Sequence, residues 1–225
     1  MQAHTFSEIK EKINDWIRLD YIQPEDIPSI ELYMDQVTTF MDNQLSGNKR
    51  NKDDKILTKT MINNYSKNDL LPPSDKKKYS KDHIILLIYI YYMKNFLSIN
   101  DIEQLLQPMS EQHFHNTTGI SMSDIYSDIF KLEQQYGIKV RESVQDVYEI
   151  ANTQFSTDDD YLKTFAMITM LSYDIYAKKQ LVERMIDSLF EKPVSKVEKK
   201  EAKDIAKQKE KANKTKEKKN SKPVN

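Results

Sequence analysis

Apolar residues recur at helical spacing along most of the chain. Ile9, Ile13, Trp16 and Ile17 predict a helix over 7–19. Gln23-Pro24-Glu25-Asp26-Ile27-Pro28 breaks it, because both prolines oppose a continuing helix. A second helix is expected over 29–45, with Tyr33, Val37, Phe40, Met41 and Leu45 facing inward. Ser46-Gly47-Asn48 ends it, and 49–55 reads as an exposed charged loop. Thr58 caps a short third helix that stops near Asn68, and Leu70-Leu71-Pro72-Pro73 leaves it in extended form. Ser80 caps a fourth helix reaching about Phe96. Its stretch 84–93 is apolar all round, which marks the central buried helix.

Further along, Ser98 and Asp101 form a capping-box pattern that opens a fifth helix, with Ile102, Leu105 and Leu106 on one side and Pro108 as its stop. Ile125, Ile129 and Leu132 predict a helix over 123–136, halted by Gly137. A separate helix is expected over 142–152. Asp158-Asp159-Asp160 places negative charge at the start of a long helix, 161–190, where the helix dipole favours it. The one strand signal is a very short ribbon near Leu71 and Lys78. The expected class is therefore all-α.

Composition narrows the chemistry. The 225 residues include 3 glycines and no cysteine. Few glycines disfavour phosphate-cradling loops, which need them for close backbone approach. The lack of cysteine excludes disulfides, thiolate zinc sites and cysteine nucleophiles. Charged residues interrupt the first 20 positions, so no signal peptide is expected. The apolar run 84–93 is half of the roughly 20 residues a membrane span needs. A cytoplasmic protein without a membrane partner is the expectation.

Charge is segregated although the total is −1. Residues 1–48 are net −6, 49–81 net +6, 82–190 net −8 and 191–225 net +7. Two basic segments thus flank an acidic body, and such fields can steer an anionic partner. A charge run is also what a plain solvated face looks like. The last segment is rich in Lys, Glu and Ala and has no aromatic residue, so it is expected to be disordered.

The most informative segment is 58–67. On a wheel of 100° per residue, Lys59, Thr60, Asn63, Asn64 and Lys67 share one arc, and Met61, Ile62 and Tyr65 share the other. Such a helix can dock its apolar side and present amides and amines outward. Asn pairs bidentately with adenine edges, and Lys bonds guanine edges or phosphates. An ordinary amphipathic surface helix has the same wheel. What tips the reading is the loop just downstream, where Lys76, Lys77 and Lys78 precede Tyr79 after a stiff Pro-Pro pair. A basic loop beside a polar helix is how winged helix-turn-helix proteins hold phosphates on both sides of a groove.

The stretch Leu57-Thr58-Lys59-Thr60-Met61-Ile62-Asn63-Asn64-Tyr65, then Leu70-Leu71-Pro72-Pro73, Lys78-Tyr79-Ser80 and Leu97-Ser98-Ile99-Asn100-Asp101-Ile102 through Leu106, resembles the DNA-binding domain of MerR-type regulators. More closely, Leu32 through Leu106 resembles a bacterial family of unknown function, domain of unknown function 1836. The MerR resemblance implies that the helix at 58–68 enters the major groove and that the loop at 74–79 is the wing. It implies a DNA-contacting set of Lys59, Thr60, Asn63, Asn64, Lys67, Lys76, Lys77, Lys78 and Tyr79. Asn63 stands where that family usually has Arg, Asp69 where it has Gly, and the wing is several residues shorter.

Other constellations carry less. His113 and His115 flank Phe114 without a cysteine or carboxylate to complete a metal site, so no metal or cofactor is expected. Asp158-Asp159-Asp160 lacks the Gly and distal Glu of a calcium loop. Tyr89, Tyr91 and Tyr92 lie among aliphatics and read as core. No catalytic arrangement is present, and no enzyme is expected. The expected organisation is an N-terminal helix and linker (1–28), a short-winged helix-turn-helix domain (29–106), a helical dimerisation or effector domain (107–190) and a basic tail (191–225). The long last helix carries more apolar positions than one packing face uses. A homodimer through Leu181, Met185 and Leu189 is therefore expected, bound to duplex DNA, the effector being unknown. The rival reading is a protein-interaction module that keeps the helix-turn-helix fold and contacts an acidic protein.

Overall fold

In a computed structural model, residues 5–17, 21–155 and 158–190 are described. The tail at 191–225, and the expectation of disorder attached to it, lie outside the described residues. These hold seven α-helices and one two-stranded ribbon, an all-α architecture.

Helix α1 (Phe6–Trp16) begins at a capping box: Glu8 N–H donates to Thr5 Oγ1 and Thr5 N–H donates to a Glu8 carboxylate oxygen. It buries Ile13 as expected, together with Phe6, while Trp16 stays on the surface. Residues 32–33 form strand β1 (Leu32–Tyr33), so α2 (Met34–Leu45) starts five residues later than its apolar pattern suggests. Leu32 pairs with Tyr79 and Tyr33 with Lys78, antiparallel, in strand β2 (Lys78–Tyr79). Of the very short ribbon expected near Leu71 and Lys78, the Lys78 strand is present, but Leu71 is not in it and its partner lies 46 positions earlier. Tyr33 also caps α2, its N–H donating to Gln36 Oε1 at 2.9 Å, and its ring points outward rather than in.

Helix α3 (Lys59–Lys67) packs on α2. Helix α4 (Lys81–Met93) is the centre of the molecule: His83, Ile84, Ile85, Leu86, Leu87, Ile88, Ile90 and Tyr91 are all buried. It is packed by β2, by α5 (Ile99–His113) and by α6 (Met122–Thr153). Helix α5 opens on the expected box, with Ser98 and Asp101 capping each other.

Two expected breaks are absent. Pro108 lies inside α5, which runs on to His113. An interior proline costs about 3 kcal/mol. Here the last turn leads straight into anchored contacts, since Phe114 meets the edge of His83 at 4.8 Å and His115 N–H donates to Asp82 at 2.8 Å. Gly137 lies buried inside α6, a single 32-residue helix where two were expected. Glycine in a helix costs about 1 kcal/mol against alanine. Packing of α6 on α4 and on α1 exceeds that penalty.

Beyond Gly137, α6 joins α1 and α7 (Asp160–Leu189) around a second core of Phe6, Ile13, Tyr148, Ala151 and Met167. Phe6 and Tyr148 stack with ring centroids 4.6 Å apart. As expected of the aspartate run, Asp159 caps α7, accepting the N–H groups of Tyr161 and Leu162. Of α7's 30 residues only Met167 and Ile186 are buried, and Tyr161, Phe165, Ile168, Ile175, Leu181 and Leu189 stand on its surface. The described residues up to Ile186 form one compact unit, and 187–190 are the described part of a second. No described helix is long and apolar enough to cross a membrane.

Candidate nucleic-acid interface

Thr58 starts α3 with its hydroxyl oxygen accepting the Met61 N–H at 3.2 Å. Threonine does this because its extended backbone leaves the oxygen facing the orphan donors of the first turn. The helix then divides as its wheel predicts. Ile62 and Tyr65 are buried and Met61 is half-buried, while Lys59, Thr60, Asn63, Asn64 and Lys67 are all exposed. Five hydrogen-bonding side chains therefore share one open face of a rigidly seated helix.

The helix ends by a left-handed residue. Asp69 has φ 58°, and Leu70 N–H donates back to Tyr65 O at 3.0 Å. Aspartate adopts this conformation more readily than most residues, which is why the position functions without glycine. Asn68 also turns its amide onto Asn64 O at 2.7 Å, which fixes the last turn. Leu70 and Leu71 are then buried, so the chain leaves α3 along a fixed path to Pro72 and Pro73.

The basic loop is a tight turn. Lys78 N–H donates to Asp75 O at 2.7 Å, with Lys76 at φ 46° and Lys77 at φ 64°. Two positive φ values at the centre make it a mirror-image turn, whose twist matches the ribbon. Asn and Gly are the usual occupants. An L-lysine there costs roughly 1–2 kcal/mol. Two lysines in the left-handed region thus share one exposed tip.

Lys78 is half-buried, with Nζ 5.7 Å from the Tyr33 ring centroid and 3.8 Å from a Glu31 oxygen. Lys59 is ion-paired with Asp35. Tyr79 departs from the expected contact set: its side chain is 4% exposed and meets the edge of His83 at 5.5 Å. Strand alternation explains this, because pairing that turns Lys78 outward turns Tyr79 into the core. It anchors the end of the loop in the core.

Three residues here were missed by sequence reasoning. Glu31, Tyr33 and Asp35 stand beside Lys78 and Lys59, but the ribbon that gathers them joins distant segments. The alternation Leu32-in, Tyr33-out was the available signal. No group of three potential metal ligands occurs among the described residues. His113 Nδ1 meets Ile120 O at 2.8 Å, and His115 lies against Asp82, so that pair is tied up structurally.

Residues 22–129 match the family model for Domain of unknown function (DUF1836). That span holds the ribbon, α2 to α5 and the start of α6, and with them the whole candidate interface. No curated protein and no solved structure matches the chain.

Proposed function

We propose that this chain is a DNA-binding regulator of MerR-like type, acting in the cytoplasm as a homodimer and having no catalytic role. Helix α3 lies in the major groove, with Lys59, Thr60, Asn63, Asn64 and Lys67 towards the bases and adjoining phosphates. Lys76, Lys77 and Lys78 hold the backbone from the wing. The observation that carries this reading is the wholly polar, exposed face of α3 beside a strained turn of lysines. Residues 107–190 serve dimerisation or effector response.

The test is a binding titration on a duplex selected from a random pool, compared with unselected duplex. Asn63→Ala and Asn64→Ala are each expected to lose about 1–3 kcal/mol on the selected site and little on the other. Equal losses on both would remove base readout by these residues.

The wing gives a second expectation of opposite signs. The double variant Lys76→Asn, Lys77→Gly keeps the turn but relieves its strain. Stability should rise by about 1–2 kcal/mol. Binding to every duplex should weaken, and the salt slope should shrink by about 2, since each phosphate contact contributes roughly 0.9. An unchanged slope would place the turn off the DNA. The ion pairs Lys59–Asp35 and Lys78–Glu31 favour one other reading, a module docking on an acidic protein, because these lysines already hold carboxylates. Absence of duplex binding at low salt would select it.

A homodimer fits the surface of α7. Tyr161, Phe165, Ile168, Ser172 and Ile175 follow one another at alternating spacings of four and three, the period of a coiled-coil seam, and all are exposed. Two copies would present two α3 helices to half-sites one DNA turn apart, roughly 34–36 Å, or a multiple of it.

A further inference from the structure

We propose that His83 is a pH-sensitive latch: its neutral ring holds the wing ribbon against the N-terminus of α4, and protonation releases it. The ring is 2% exposed and stands where several segments meet. Its Nδ1 accepts the Ser80 N–H at 3.0 Å and lies 2.8 Å from Ser80 Oγ. An N–H can donate to Nδ1 only if that nitrogen carries no proton, so the ring proton sits on Nε2. Nε2 is buried and makes no hydrogen bond, and the carbonyls of Pro73 and Pro72, where the chain leaves α3, act on the ring. Tyr79 from β2 and Phe114 from the end of α5 close the ring in, each T-shaped to it, at 5.5 and 4.8 Å.

Histidine here occupies the third position of a capping box, where Glu or Gln is usual. A glutamate would cap at any pH above its own titration. Histidine caps only while neutral. Protonated, its Nδ1–H would face the Ser80 N–H it now accepts, and a buried cation would be left beside apolar rings. The titratable groups facing it are Tyr79 from β2, Asp82 on α4 itself and His115 beyond α5, with His83 and His115 centroids 6.2 Å apart. His115 disfavours a charge on His83, and Asp82, which accepts the His115 N–H, offsets part of that.

Burial, the largest cause, and then His115 hold the His83 pKa below its ordinary 6.5, against the opposing pull of the Pro73 and Pro72 carbonyls and Asp82. The unfolded chain therefore takes up the proton first. The stabilisation is complete above pH 6.5 and is lost as pH falls below it towards the folded value. The consequence runs against the usual trend. Acidification adds positive charge and ordinarily strengthens binding to a polyanion, whereas here it dissolves the wing.

The experiment is nuclear magnetic resonance of the full chain without DNA, from pH 8 to pH 5. The wild type should show His83 as the Nε2–H form at pH 8. The cross-strand contacts Leu32–Tyr79 and Tyr33–Lys78 should vanish in step with its protonation. His83→Gln keeps a capping acceptor but cannot titrate, so it should retain the ribbon at pH 5. His115→Asn, which suits the left-handed backbone there (φ 55°), should lose the ribbon as the wild type does. A ribbon that survives protonation of His83, or one lost equally in His83→Gln, overturns the latch. Because the readout needs no nucleic acid, failure of the DNA-binding reading leaves this test intact.

Discussion

Truncating Leu86 to alanine is expected to lower the free energy of unfolding by about 2–5 kcal/mol, a large part of the roughly 5–15 kcal/mol that holds a domain together. Leu86 has no exposed surface, and it lies in a run of α4 where each neighbour from Ile84 to Ile88 is also buried. With β2, α5 and α6 all packed on this helix, a vacated volume cannot close by moving one flexible side chain. The loss therefore includes a cavity contribution as well as the methyl and methylene groups removed from contact. Urea unfolding of the full chain measures it, as a lower midpoint at unchanged slope. A loss under 1 kcal/mol would mean that α4 is not the centre of the core.

Ile168→Glu is expected to do the opposite: to leave the protomer's fold intact and divide the assembly. Ile168 is 57% exposed, so a charge there is solvated in the isolated protomer, and surface changes of this kind alter stability by about 0.5 kcal/mol or less. Across the proposed α7 seam the same carboxylate would be buried without a partner, a penalty of about 3–5 kcal/mol. Light scattering at tens of micromolar should give a dimeric wild type and a monomeric variant with an almost unchanged melting curve. A monomeric wild type would remove both the seam and the paired half-site arrangement that rests on it.

What could be read from the sequence was what the chain encodes locally. The Thr58, Ser80 and Ser98 caps, the polar and apolar arcs of α3, and the all-round apolarity of α4 depend on residues within one or two turns, and each appears where expected. The misreadings arose where distant packing outweighed a local preference. Gly137 and Pro108 are stop signals by propensity, and contacts on both flanks carry the helix through them. The late start of α2 follows from ribbon pairing with a segment 46 positions on, which no local pattern announces. The same pairing buries Tyr79, and it brings Glu31 beside Lys78, so the interface is less purely basic than its lysines alone suggest.

The partners of α1 set an order of events during synthesis. Phe6 and Ile13 pack with Tyr148, Ala151 and Met167, about 135–160 positions further along the chain. At roughly 5–20 residues per second, α1 waits roughly 7–30 s after leaving the ribosome before its docking surface exists. An isolated helix of 11 residues is marginal in water, so for that interval the segment has no stable structure of its own. The residues between, which include the ribbon and α2 to α5, emerge before α6 is complete and can condense around α4. Helix α1 is then the last piece fastened, a clasp closed by the arrival of α7.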